Sequence, residues 1–216
     1  MKPRFRKAVL GLAATMASLP AVCGPMGFKD SWMAMGDLSP NWQEVFVNYA
    51  LTPRDAVGLS ALSMRSDDET LARRVNEAVY TRLISRWNMP DAQANIWLLA
   101  GVGSVTGNDF ASAKALVSPG LQVDYETTRF YISAAARLYR ADGLNHDYAS
   151  ARIGFSFYEV DYDQVQPWLV LEARRMQGLS GKTEVTPMLR LIHNRYFVEL
   201  GINTDSQVRT NFMYTF

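Results

Sequence analysis

Alternation restricts the fold of this chain more than any other feature of its sequence. Apolar and polar side chains trade places at every step over stretches of about nine to twelve residues or more, the period-two mark of a strand with two unlike faces. Segments 41–51, 56–65, 78–87, 95–105, 121–139, 148–158, 168–176, 184–193, 196–203 and 208–216 read this way, and SWMAMG at 31–36 reads as an eleventh, shorter strand. Helical periodicity is poor. The longest apolar run, IWLLAGVG at 96–103, falls far below the roughly 20 residues a membrane helix needs. Between the strands, TPRD (52–55), NMPD (88–91), ADGLNHD (141–147), GLSGKT (178–183), HNR (193–195) and NTDS (203–206) supply turn chemistry. Such short connections make neighbours antiparallel. A two-residue turn at Asn194-Arg195 then sets Leu189, Leu191, Tyr196, Val198, Leu200 and Ile202 on one face, which Phe212 and Tyr214 continue.

The other face is ionic. It carries Glu199, Gly201 and Asn203 on one strand, Arg209 and Asn211 on the next, Arg152, Gly154 and Ser156 on another, and Glu172 with Arg174 on a fourth, while Arg82 and Arg86 add cations on a fifth. In a water-soluble sandwich the apolar face would be the core and the ions would meet solvent; in a membrane barrel the apolar face meets lipid and the ions line a lumen. Alternation alone does not choose between them.

Export narrows the choice. Lys2, Arg4, Arg6 and Lys7 precede an apolar stretch from Ala8 to Leu19 and a small-residue site at Pro20 to Gly24, the layout of a cleaved signal over residues 1–23. Cleavage after Cys23 removes the only cysteine; retention as a lipid anchor fits less well, because Val22 is bulky for the position before a lipidated cysteine. Taking those four cations from a net charge of +1 leaves about −3, so no basic surplus favours nucleic acid. An exported chain without disulfides suits a bacterial envelope better than a small secreted scaffold. Its strands also match a tilted span across an apolar band better than the five or six residues usual in soluble sheets.

The last nine residues, VRTNFMYTF, place Val208, Thr210, Phe212, Tyr214 and Phe216 on one face. A terminal aromatic residue with aromatic or apolar residues at alternate positions before it, here Val208, Phe212, Tyr214 and Phe216, resembles the C-terminal signal of Gram-negative outer-membrane β-barrels. The resemblance implies a closed antiparallel transmembrane β-barrel, contact with outer-membrane lipid, and folding by the barrel assembly machinery. It implies no particular activity. Ending on a structured strand suits closure, since an unpaired edge in lipid leaves backbone groups unsatisfied. Trp42, Tyr49, Trp87, Trp97, Tyr158, Trp168, Tyr196 and Tyr214 are candidates for the headgroup boundary, although a core role accounts equally well for several of them.

The expected organisation is residues 1–23 as signal, 24–40 as an N-terminal segment with a short first strand, and 41–216 as an all-β barrel of about ten strands, with twelve and eight as alternatives. Ten would leave the expected long loops, 66–74 and 106–120, on the short-turn side. Twelve requires SWMAMG to be a strand and a long segment such as 121–139 to be two. A soluble periplasmic β-sandwich is the fallback.

Chemistry is sparse. His146 and Ser150, four apart on one strand, would stand roughly 13 Å from each other, too far for a base and its nucleophile. His193 precedes a turn, which fits an interfacial or solvated residue. Asp124 and Glu126 share a strand face, and opposite Arg82 or Arg152 they suit a charge network better than a metal or a shared proton. Met26, Met33 and Met35, near Trp32, are the candidate thioether ligands for Cu(I), against the simpler role of apolar filling. No cofactor and no catalysis are expected. A lumen network of Arg82, Arg86, Asp124, Glu126, Arg152, Glu172, Arg174, Glu199 and Arg209 would largely plug a barrel of this size. The leading expectation is a porin-like small barrel with a structural or interaction role through its extracellular loops, notably 106–120. A narrow channel for small solutes and a copper-linked envelope protein are the alternatives.

Overall fold

The structure, a computed structural model, describes residues 24–161 and 164–216, so the proposed signal and Cys23 lie outside the described residues. Its strands are β1 (Trp32–Leu38), β2 (Trp42–Ala50), β3 (Asp55–Arg65), β4 (Ala72–Met89), β5 (Ala92–Gly107), β6 (Lys114–Thr127), β7 (Phe130–Ala141), β8 (Leu144–Ser156), β9 (Gln166–Gln177), β10 (Thr183–His193), β11 (Tyr196–Ile202) and β12 (Val208–Thr215). Each pairs antiparallel with the next, and β12 returns to β1, so the sheet is one closed barrel rather than a sandwich.

Twelve strands among the described residues correct the expectation of ten. SWMAMG is the body of β1. Segment 121–139 is broken at Thr128 and Arg129, where the Thr127 hydroxyl accepts the amides of Arg129 (3.1 Å) and Phe130 (2.8 Å). This hydroxyl-built turn lacks the Gly, Pro, Asn or Asp that usually marks one. The expected loop 106–120 is mostly strand, leaving only 108–113 as connection. Pro119 sits inside β6, where the β6–β7 ladder skips Ser118 and Pro119, as a residue without an N–H requires. With twelve strands, 66–71 and 108–113 fall at the end opposite the chain termini. The rims are called the loop rim and the terminal rim below.

The outer wall is apolar: Leu59, Val102, Ile132, Ile153, Leu169, Leu189, Leu200 and Ile202 are all exposed. Register explains the continuity of β10 to β12, where Leu189 opposes Leu200, Leu191 opposes Val198, and Val198 opposes Phe212. Aromatic rings gather at the terminal rim, with Trp32 beside Tyr49 (5.1 Å), Phe130 beside Phe155 (5.2 Å), and Tyr214 stacked between Tyr196 (4.6 Å) and Phe216 (5.5 Å). Trp42, Trp97 and Trp168 are not boundary residues: all three are buried inside. At the closing seam Gly36 faces Phe212, whose ring occupies the space a Cβ at residue 36 would need.

Candidate functional site: the lumen

Cross-strand register assembles the ionic interior. Arg152 lies opposite Glu172, Arg174 opposite Glu184, and Arg190 opposite Glu199, so neighbouring strands deliver each pair ready-made. Arg152 donates to Glu172 and, at 3.3 Å, to Glu199. Arg209 forks onto Asp37 (3.1 and 2.7 Å) and also reaches Glu172. Arg190 binds Glu199 at 2.8 Å, and the Asn211 amide donates to the same carboxylate at 2.7 Å. Arg174 joins Glu184 (2.6 Å) to Ser39 (3.0 Å). On the opposite wall Arg137 meets Glu77 (2.9 Å) and Glu44 (3.7 Å), Ser60 donates to Glu44 (2.8 Å), and Ser118 donates to Glu77. Glu77 on β4 reaches Ser118 on β6 across Gly101 of β5; a Cβ there would collide with both side chains. Buried ions on this scale persist only when each is paired and hydrogen-bonded.

Apolar layers bound this belt. Toward the loop rim, Trp42, Leu62, Met64, Val75, Val105, Leu116, Tyr139, Leu144, Met176 and Leu179 pack into one buried cluster drawn from β2 through β9 and the turn after it. His146 belongs to this layer: its ring stacks on Tyr139 at 5.6 Å and its Nδ1 meets the Gln177 carbonyl. Toward the terminal rim, Met26 packs with Ala50, Ala56, Leu83 and Trp97, and Tyr131, Trp168, Val170 and Met188 form a second group. Residues 24–26 are thus inside the barrel: the Asn48 amide donates to the Pro25 carbonyl (2.8 Å), and a Cβ on Gly24 would fall 2.5 Å from the Trp97 ring. Between the layers lies a chamber of about 230 Å³, bordered by Asp37, Glu44, Arg137, Arg152, Arg190, Asn211 and the rings of Trp42, Phe46, Tyr131, Tyr139 and Tyr148.

Arg152, Glu172, Arg174, Glu199 and Arg209 therefore stand in one connected lattice. Asp124 does not join it. Near the terminal rim it accepts from Asn95 (2.6 Å) and the Trp97 indole (2.8 Å), with Arg86 donating to Asn95 (2.7 Å); Glu126 projects inward on the same strand face. Arg82 requires correction, because it projects outward, about half exposed, against Asp55 (2.8 Å) and Tyr80 (3.2 Å). A β-bulge between Leu83 and Ser85 shifts the register, so residues 82 and 86 point to opposite faces despite their even spacing. Met33 is buried on the inner face of β1 and Met35 borders the chamber, whereas Met26 sits in the Trp97 group. Among the described residues no cluster of three or more His, Cys, Asp or Glu is arranged to hold a metal. The His193 Nε2 lies 3.3 Å from the side-chain amide nitrogen of Asn194. Val208, Phe212 and Phe216 face outward on or just after β12.

Sequence reading missed Asp37, Glu44, Glu77, Arg137, Glu184 and Arg190. Each shares its strand face with apolar inner residues, as Glu44 does with Trp42 and Phe46, so the inner face does not read as uniformly ionic.

No protein-family model and no curated protein matches the sequence. Among solved structures it is similar to a KdgM porin, with a TM-score of 0.50 at 11% identity over 86% of this chain and 98% of that one. It is also similar to OccK8 (OprE) of Pseudomonas aeruginosa, with a TM-score of 0.40 at 8% identity over 85% and 62%. OprD of the same organism gives a TM-score of 0.37 at 10% identity over 88% and 67%. The fold is that of the Gram-negative outer-membrane β-barrels, and its architecture is porin-like.

Proposed function

We propose that this chain resides in the bacterial outer membrane, delivered by an N-terminal signal and folded by the barrel assembly machinery, as a barrel closed to free diffusion that handles small solutes through its central chamber. The chamber carries the reading: a space lined by aromatic and apolar side chains together with Asp37, Glu44, Arg137, Arg152 and Arg190 is retained between two apolar layers, where a purely structural barrel would have no need of one. With the termini on the periplasmic side, the Trp42 layer lies toward the cell exterior. No catalytic role is proposed. In planar bilayers the refolded protein should give small or intermittent conductance, while proteoliposomes swell slowly in a permeant solute. A large, steady ohmic conductance would mean an open pore instead. A gel shift between boiled and unboiled samples tests the membrane barrel itself.

One observation favours a second reading, a structural or interaction role at the cell surface. Asp67 accepts from both Asn41 (2.7 Å) and Ser180 (2.7 Å), tying three outer connections into one cap. Absence of any solute flux would favour this role.

A further inference from the structure

Resting on the small-solute reading, we propose that the chamber is a binding site for one neutral, hydroxyl-rich molecule about the size of a single hexose. Three residues that border the chamber carry a buried polar atom with no protein hydrogen-bond partner. The Trp42 indole N–H is one, on a residue only 2% exposed; the Asn211 side-chain oxygen, on a residue 5% exposed, is another, and the Arg137 Nε–H is a third. Buried donors and acceptors left unpaired are costly, so two donors and an acceptor around one cavity define what should fill it. A hydroxyl group answers both kinds at once, as a carboxylate or an ammonium cannot. Ring surface from Phe46, Tyr131 and Tyr148 in the same wall suits the C–H faces of a sugar.

Charge argues against an anion. The surrounding lattice sets five arginines (137, 152, 174, 190 and 209) against six carboxylates (37, 44, 77, 172, 184 and 199), so no cationic surplus is left to hold an anion. Size agrees as well: at about 30 Å³ per water, 230 Å³ holds roughly eight waters' worth of liquid.

The test is saturation-transfer NMR on the full barrel refolded in detergent, with glucose, glucuronate and glucosamine as probes. Glucose should show transfer, and the charged sugars should bind at least several-fold more weakly. Trp42→Phe removes the indole N–H together with the five-membered ring that carries it, so some packing stability should be lost, but the barrel, read by gel shift, should still fold while glucose binding falls about tenfold. Preference for glucuronate or glucosamine would overturn the neutral assignment, and unchanged binding in Trp42→Phe would overturn the site. If no sugar binds while proteoliposomes still swell, this inference fails and the solute reading stands. If neither occurs, both fail.

Discussion

Glu172 illustrates how much a single side chain carries in this interior. It accepts from Arg152 and Arg209 at once and is completely buried. Glu172→Leu leaves two guanidiniums short of a partner in a low-dielectric space, and breaking a buried pair in this way costs about 3–5 kcal/mol. The urea midpoint of the refolded barrel should fall accordingly, whereas Arg82→Gln, on the outer wall, should leave it nearly unchanged. Loop residues respond to pH instead. Arg73 grips Asp109 at 2.6 Å and holds its carboxyl below the ordinary aspartate value. Because the folded value is the lower one, the contact contributes stability above about pH 3.9 and loses it as pH falls through the folded value. Proteolysis within 108–113 should therefore be slow at neutral pH and rise only in strong acid. Acceleration between pH 7 and 5 would show that another group holds the loop.

Strands closing a barrel must meet edge to edge, and the β1–β12 seam does so over only six residue pairs. Phe212 covers the bare backbone at Gly36, an aromatic ring substituting for the missing side chain. Phe212→Ala should lower the unfolding midpoint and slow refolding, and Gly36→Ala should do the same by displacing the ring. Combined, the two changes should cost less than their sum, since each removes what the other clashes with; strict additivity would show that the ring and the glycine are independent. The same elements show what the sequence made legible. Outer faces could be read because apolar residues recur at alternate positions along β10, β11 and β12. Strand count could not, because Thr127 makes a turn with a hydroxyl and Pro119 rides inside a strand. Nor could the opposed directions of Arg82 and Arg86, since a bulge leaves no compositional mark. The ionic lattice was half visible: strands with charge next to glycine or serine stood out, while Glu44, Glu77 and Arg137 were masked by apolar neighbours on the same inner face.

Twelve strands enclose more space than the roughly eight whose interior side chains alone just fill. This molecule meets the surplus with its longest residues, arginines and glutamates at mid-height, tryptophan and methionine above and below, and with residues 24–26 folded into the bore. On the proposed reading, closure toward the loop rim depends on packing rather than on a folded-in loop, since the connections there are short. Tyr139 and Met176 are both fully buried in that layer, on strands two apart in the barrel wall. Tyr139→Ala with Met176→Ala removes their bulk without touching the β-ladder, so the barrel should retain its gel shift. Some stability should be lost, because each truncation leaves a cavity worth about 2–5 kcal/mol. In planar bilayers the double variant should show frequent, larger conductance steps than the parent. A folded variant with the parent's conductance would place the resistance at the terminal rim, where Met26 and Trp97 meet, and make residues 24–26 the closing element.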